Sequence, residues 1–130
     1  MTYQLHRTFT ATPAQLFRFF TEPTPFSQWF VVPGFRTEQV HINAHPGGTA
    51  QAVMVAEDGS TEIPFTVGYG AVEPPRRVVL HPSANEEVTI TLADAPDGTV
   101  LTYAYAGPAT SPADRSAVEA MLDQIARHTT

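Results

Sequence analysis

The chain has 130 residues, of which 42% are hydrophobic and 15% are charged, and its formal net charge is −6. This length suits a single domain over residues 1–130, and the composition is that of a globular chain with a real core rather than of a disordered one. The negative charge argues against nucleic acid or an anionic membrane surface, because both attract basic patches. The chain has no cysteine, which excludes disulfides and thiolate chemistry.

The amino-terminal stretch MTYQLHRTFT contains no apolar run typical of a signal sequence. No part of the chain approaches the roughly 20 consecutive apolar residues of a membrane span. The sequence therefore predicts a cytoplasmic protein.

The amino-terminal residues predict a strand followed by a short helix. Tyr3, Leu5 and Phe9 recur with period two on one face, and Arg7 is the charged exception on that face. The stretch TPAQLFRFF (12–20) then begins with a Thr-x-x-Gln capping box and has proline at the first helical position. A proline at position 23 predicts the end of this helix.

The next segment, TEPTPFSQWFVVPG (21–34), combines much apolar area with three prolines and a terminal glycine. It holds the only tryptophan of the chain, Trp29, with Phe26 and Phe30 close by. The prolines exclude a long helix or a central strand, so the segment predicts a short helical piece.

The middle of the chain predicts about six strands joined by hairpins. Asp58-Gly59 and Asp97-Gly98 are hairpin signals, and Pro64 predicts an edge or a bulge at its end of a strand. Alternation places one set of side chains on the same face of these strands: Val40, Ile42, Ile63, Phe65, Val67, Tyr69, Ala71, Val88, Ile90, Leu92, Leu101, Tyr103 and Tyr105.

The carboxyl-terminal segment predicts a long amphipathic helix. Ser111, Pro112 and Asp114 form the signature of a capped helix start. A stripe with helical spacing follows and would face the core: Val118, Met121, Leu122 and Ile125.

This order predicts an α+β helix-grip fold: one curved antiparallel sheet of about six or seven strands, two short helices, and a long carboxyl-terminal helix packed across the sheet. The inward stripe of that helix is lean, since small alanines flank it, whereas the sheet opposite carries long aromatic side chains. A sheet that grips such a helix can leave a cavity. Two readings stay open: segment 21–34 closes an internal ligand cavity, or it caps a solid core.

Under the first reading, the ligand would contact aromatic and aliphatic side chains from the broken segment, the sheet and the last helix, with tyrosine hydroxyls as the polar groups. The predicted ligand-binding residues are Phe26, Trp29, Phe30, Phe65, Tyr69, Leu101, Tyr103, Tyr105, Met121 and Leu122.

Two other pairs of residues are weaker candidates for a functional site. His41 and His45 would lie about 13 Å apart along a strand, too far for one metal ion. Glu86 and Glu87 are adjacent and would point to opposite faces of a strand, so they are not predicted as an acid–base pair, and both are expected to be solvated. The sequence predicts no metal and names no catalytic residue.

The chain resembles the START-like helix-grip superfamily, also called SRPBCC, and within it the bacterial homologues of the carboxyl-terminal domain of the heat-shock-protein ATPase activator. The resemblance covers nearly the whole chain. It is based on six segments in order: LHRTFTATPAQLFRFFTEP, FSQWF, HPGGTAQAVM, EDGS, GAVEPPRRVVL and DGTVLTYAY.

The resemblance implies the helix-grip fold but several functions, because the superfamily includes lipid carriers, hormone receptors and polyketide cyclases. The sequence favours a binding module over an enzyme: a carrier or sensor for a hydrophobic small molecule, with no cofactor, no nucleic acid and no membrane partner, and with a homodimer left open. One alternative is a cyclase-like enzyme that uses a tyrosine of the same cavity as an acid. The other is a co-chaperone-like interaction domain with a filled core.

Overall fold

The computed structural model describes residues 2–31, 34–108 and 115–129. Its elements, in chain order, are β1 (Thr2–Phe9), α1 (Pro13–Thr21), α2 (Pro23–Trp29), β2 (Phe35–Ile42), β3 (Thr49–Ala56), β4 (Glu62–Glu73), β5 (Arg77–His81), β6 (Glu87–Ala95), β7 (Gly98–Ala106) and α3 (Arg115–His128). The predicted α+β helix-grip class is confirmed, with seven strands and three helices in the described part of the chain.

All seven strands form one antiparallel sheet in the order β1-β7-β6-β5-β4-β3-β2. Successive strands from β2 to β7 are neighbours, as hairpin connections require. The first strand is the exception, because β1 pairs with β7 at the opposite edge from β2. The chain must therefore cross the sheet between β1 and β2, and α1 and α2 make this crossing.

Two irregularities interrupt the strand alternation. In β2 the register shifts between Glu38 and His41, where Gln39 adopts a positive φ of 56°. In β4 it shifts between Tyr69 and Val72, so that Val72 lies opposite Val78. Such bulges bend a strand and change which face the following side chains occupy.

The bulge in β4 corrects one prediction. Strict alternation placed Ala71 on the inner face, but Val72 takes the place opposite Val78 and packs against the core. Ile63 also departs from the pattern, because it is 46% exposed. It pairs with Met54 at an end of β4 that β5 does not reach, since β5 stops at His81 opposite Gly68.

The start of α1 follows its sequence signal. The Thr12 side chain accepts a hydrogen bond from the Gln15 backbone N–H at 3.1 Å, and the Gln15 side chain accepts one from the Thr12 backbone N–H at 2.8 Å. The predicted capping box is therefore confirmed, and Pro13 occupies the first helical position.

The carboxyl end of α1 is held by two side chains from elsewhere in the fold. The indole N–H of Trp29 donates to the Phe19 carbonyl at 2.5 Å, and the Tyr69 hydroxyl donates to the Phe20 carbonyl at 2.5 Å. The last carbonyls of a helix have no partner within the helix, so these donors satisfy groups that would otherwise be buried without a hydrogen bond.

The proline-rich segment is explained by α2. Pro23 begins this seven-residue helix, where a missing backbone N–H is tolerated. Phe26 and Trp29, three residues apart, share one helical face and are both buried. The segment thus delivers two large aromatic side chains to the core and the indole N–H to the end of α1.

The last helix packs its predicted stripe inward. Val118, Leu122 and Ile125 are buried, and Met121 is half-buried against the same cluster. The predicted cap at Ser111, Pro112 and Asp114 lies outside the described residues. At the other face of α3, the Asp123 carboxylate accepts a hydrogen bond from the Arg7 guanidinium at 2.6 Å, so the charged exception of β1 ties that strand to the helix.

The stripe yields a stability prediction. Leu122→Ala should lower the free energy of unfolding by about 2–5 kcal/mol, because the side chain is 1% exposed and its removal leaves a cavity. Urea denaturation followed by tryptophan fluorescence measures this value. Ser116→Ala, at an exposed position of the same helix, should change it by less than about 0.5 kcal/mol. A similarly small loss for Leu122→Ala would contradict the observed packing of α3.

Candidate functional site

All ten residues predicted to contact a ligand belong to one hydrophobic cluster beneath the helices. Seven of them are buried and three are partly buried against it. The buried seven are Phe26, Trp29, Tyr69, Leu101, Tyr103, Tyr105 and Leu122, and the other three are Phe30, Phe65 and Met121. All ten therefore point into the core, and their contacts divide them into separate groups.

The first group is an aromatic cluster around Trp29, which is 1% exposed. The Trp29 ring lies edge-on to Phe20, Phe26 and Phe30, with centroids 5.1, 6.1 and 5.4 Å away. Phe30 in turn stacks on Phe65 of β4 at 5.2 Å. Edge and stacked contacts of this kind add to the stability gained by burial, so this group joins α1, α2 and β4.

The Tyr69 hydroxyl already donates a hydrogen bond to the end of α1. Tyr69 is also distant from the other two tyrosines predicted to bind a ligand. The strand register gives one crosswise row of Tyr69, Leu80, Val88 and Tyr105. Three strand spacings therefore separate Tyr69 from Tyr105, or about 14 Å. The three tyrosines do not share a single site.

The second group lies where β1, β6 and β7 meet, and we call it the tyrosine–glutamate cluster: Tyr3, Glu86, Tyr103 and Tyr105. The Tyr3 and Tyr105 rings stack with centroids 5.1 Å apart. The Tyr105 hydroxyl donates to the Glu86 carboxylate at 2.6 Å, and the Ser83 hydroxyl donates to the other carboxylate oxygen at 2.9 Å. Tyr103 is the next inward residue of β7.

Glu86 corrects the prediction of two solvated glutamates. The opposite orientation of the pair holds, since Glu87 is exposed, but Glu86 is half-buried on the inner face and accepts the Tyr105 hydroxyl. The sequence does contain a signal for this orientation, because Glu86 alternates with the inward-facing Val88 and Ile90. Its position just before a strand made a solvated side chain the expected outcome.

Gly107 allows the tyrosine–glutamate contact to form. A Cβ atom at this position would lie 2.4 Å from the Tyr105 hydroxyl oxygen and 3.1 Å from the Glu86 Cγ. Any side chain there would displace the phenol from the carboxylate. The glycine therefore fixes where this polar group sits on an otherwise apolar face.

Tyr103 has the feature that distinguishes the site. It is 4% exposed, and in the part of the chain that the structure describes no group hydrogen-bonds to its hydroxyl. Every completely buried side-chain nitrogen or oxygen among the described residues has a partner. The hydroxyl oxygen of Tyr103 must therefore retain a small accessible area, although its ring is enclosed.

Burial raises the pKa of the Tyr103 phenol well above its ordinary value of 10.0, and the neighbouring Tyr3, Glu86 and Tyr105 add smaller contributions in the same direction. Burial likewise raises the pKa of Tyr69. Both phenols stay protonated at neutral pH, so each hydroxyl is able to donate a hydrogen bond. A general acid works best with a pKa near the operating pH, so these shifts oppose proton transfer from either residue.

Surface clefts border the two groups. One of about 520 Å³ includes Phe65, and another of about 440 Å³ includes Tyr3 and Tyr105 beside outward residues of β1, β6 and β7. Neither cleft gathers the ten predicted residues. Within residues 2–31, 34–108 and 115–129, no group of three histidines or carboxylates is placed to hold a metal ion.

A family profile described as "Activator of Hsp90 ATPase homolog 1-like protein" matches residues 10–129. The chain belongs to this family. The match covers both short helices, the strands from β2 onward and α3. It confirms the resemblance drawn from the six sequence segments.

Several solved structures share this fold over nearly their whole length. An AHSA1-like protein from Aeromonas hydrophila superimposes with a TM-score of 0.87 at 23% identity, covering 98% of this chain and 91% of that one. A protein from Chromobacterium violaceum gives 0.84 at 25% identity, covering 99% and 97%. One from Rhodobacter sphaeroides gives 0.83 at 24% identity, covering 98% and 90%. These similarities establish the fold of an AHSA1-like domain. They do not identify an activity.

A search of curated proteins found no match. None of the helices in the described part of this AHSA1-like domain is long and apolar enough to cross a membrane.

The two buried tyrosines make a matched pair for mutation. Tyr69→Phe removes the donor to the Phe20 carbonyl and should lower the free energy of unfolding by about 1–3 kcal/mol. Tyr103→Phe removes a hydroxyl without a protein partner and should change it by less than about 0.5 kcal/mol. Chemical denaturation of both variants measures the difference, and equal losses would show that the Tyr103 hydroxyl has a protein partner after all.

Proposed function

We propose that this AHSA1-like domain binds a small apolar or aromatic molecule between α3 and the sheet, as a cytoplasmic carrier or sensor without a cofactor. The observation that carries the proposal is the Tyr103 hydroxyl, which lies on the helix-covered apolar face, has no partner among the described residues and keeps a small accessible area. A ligand with one polar group among apolar atoms would supply the missing hydrogen bond.

The surroundings of Tyr103 suit such a ligand. Across the sheet it pairs with Leu5 on β1 and Ile90 on β6, and both are buried. Leu101 lies two residues away on the same face of β7 and is also buried. Small-molecule sites combine mostly apolar walls with a few placed polar groups, and this is the composition found here.

Helix α3 is the element that would move to admit a ligand. Its inward stripe includes the half-buried Met121, whose unbranched side chain adapts to irregular shapes. Its small residues Ala117 and Ala120 are only half-buried, so they fill little of the space near the sheet. The sheet itself is fixed by its ladders, whereas one helix docked by side chains opens at a lower free-energy cost.

The phenols argue against the cyclase-like alternative. An enzyme of that kind would use a tyrosine as a general acid, and burial raises the pKa of both Tyr69 and Tyr103 away from neutrality. As hydrogen-bond donors that do not ionise, the same groups suit binding. The proposal is therefore for a binding module and not for a catalyst.

Protein interaction is the second candidate, and two observations favour it. The family description refers to an activator of the Hsp90 ATPase, so its namesake acts on another protein. In addition, most residues predicted to line a cavity are buried against one another. A domain that acts through its surface needs only such a filled core, so ligand binding separates the two candidates.

Titration with a matched ligand pair tests the proposal. Naphthol and naphthalene share one apolar skeleton and differ in a hydroxyl group. Both compounds should bind the wild-type protein. Tyr103→Phe should lower the affinity for naphthol by about two- to tenfold, because one hydrogen bond is lost. The affinity for naphthalene should be unchanged, and calorimetry measures the binding of both compounds.

Tyr69→Phe is the control, because its hydroxyl is already engaged by α1 and should not contact the ligand. Failure of both compounds to bind the wild-type protein would favour the protein-interaction candidate. An equal loss of naphthol and naphthalene affinity in Tyr103→Phe would also count against the proposal, since it would indicate a change of shape instead of a lost hydrogen bond.

A further inference from the structure

The first half of β4 lies in the middle of the strand order but has a neighbour on one side only. Its residues 62–67 pair with β3. On the other side, β5 stops at His81, which lies opposite Gly68. We call residues 62–67 the open β4 edge, because a strand could be added there without displacing another one.

The hydrogen-bond pattern shows which backbone groups face the open side. The Ala56 N–H donates to the Thr61 carbonyl at 2.9 Å, so this pair and every second pair after it bond between β3 and β4. The backbone groups of Glu62, Pro64 and Thr66 therefore point away from β3. Pro64 suits this place, since it has no N–H to leave unpaired. No backbone group in residues 2–31, 34–108 and 115–129 pairs with these positions on the open side.

Apolar side chains lie beside the open β4 edge on the inner face of the sheet. Ile63 is 46% exposed, and no other large hydrophobic side chain in the described part of the chain is exposed. It pairs with the half-buried Met54 of β3. Phe65 is the next inward residue of β4 and is half-buried. A strand added at this edge would place alternate side chains beside Ile63 and Phe65.

The hairpin that precedes the open β4 edge carries an unbalanced negative charge. The chain has seven arginines and no lysine, and six of the arginines form ion pairs with carboxylates. Glu57, Asp58 and Glu62 belong to this hairpin and are exposed, and no cation in the described residues forms an ion pair with them. Such a cluster of like charges attracts a segment of the opposite sign.

We propose that the open β4 edge is a docking site for an extended basic segment of another protein, which adds a strand there and packs large apolar side chains against Ile63 and Phe65. In this mode of recognition, main-chain hydrogen bonds supply affinity and alternate side chains supply specificity. A second copy of the chain is a poorer occupant, because two chains of net charge −6 repel each other. The inference goes beyond small-molecule binding and does not depend on a ligand at Tyr103.

Short synthetic peptides provide the test. A peptide that alternates lysine with leucine should bind and should shift the amide resonances of residues 62–67 in an NMR titration. Three related peptides should bind at least about fivefold more weakly, because each lacks one part of the recognition. One replaces lysine by glutamate, one replaces leucine by serine, and one is methylated at its backbone nitrogens.

Variants of the protein locate the site. Ile63→Ser should lower the affinity for the lysine–leucine peptide by about fivefold or more, since it removes the exposed apolar contact. Glu57→Gln combined with Glu62→Gln should lower it by about two- to fourfold. Glu87→Gln combined with Asp97→Asn is the matched control, because it removes the same charge from exposed positions outside the hairpin, and it should leave the affinity nearly unchanged.

Equal losses in the two double variants, or resonance shifts confined to other strands, would overturn the proposal in favour of general charge attraction. Failure of the lysine–leucine peptide to bind would also overturn it. A wild-type dimer in sedimentation that Ile63→Ser abolishes would assign the edge to a second copy instead. Each of these outcomes leaves the naphthol titration, and with it the proposed function, to be decided separately.

Discussion

The fold depends on how the end of α1 is closed. Two carbonyls of its last turn, those of Phe19 and Phe20, point into the core and receive hydrogen bonds from Trp29 of α2 and Tyr69 of β4. Because a buried carbonyl without a partner is costly, these bonds hold α2 against the end of α1 and the end of α1 against Tyr69 of β4. The crossing from one edge of the sheet to the other is anchored at this point, and the aromatic cluster around Trp29 packs about it.

This arrangement divides the inner face into two halves with different roles. On the β4 side, aromatic rings and the Tyr69 hydroxyl serve the helix crossing. On the β7 side, Tyr103 retains a hydroxyl without a partner in the described chain, and the Tyr105 hydroxyl donates to the Glu86 carboxylate. The hydroxyl that holds the end of α1 is thus three strand spacings from the Tyr105 position of β7.

Much of the fold could be predicted because alternation and capping are local signals. The strands, the Thr12–Gln15 capping box and the inward stripe of α3 follow from residue spacing alone. The bulge that exchanges Ala71 for Val72 could not be predicted, since it depends on pairing with β5. The contact of Glu86 with Tyr105 and the hydrogen bond of Trp29 to α1 join residues distant in sequence, so no local pattern marks them.

The pairing of β1 with β7 has a consequence for how the chain folds. Tyr3 lies opposite Tyr105, so the first strand is made about a hundred residues before the strand that receives it. At a synthesis rate of roughly 5–20 residues per second, β7 is synthesised several seconds after β1, and Leu5 and Phe9 have no partner strand during that time. Pairing at such sequence separation also makes closure of the sheet slow compared with hairpin formation. We expect the hairpins from β2 to β7 to assemble first, with β1 and its crossing helices docking as the final step.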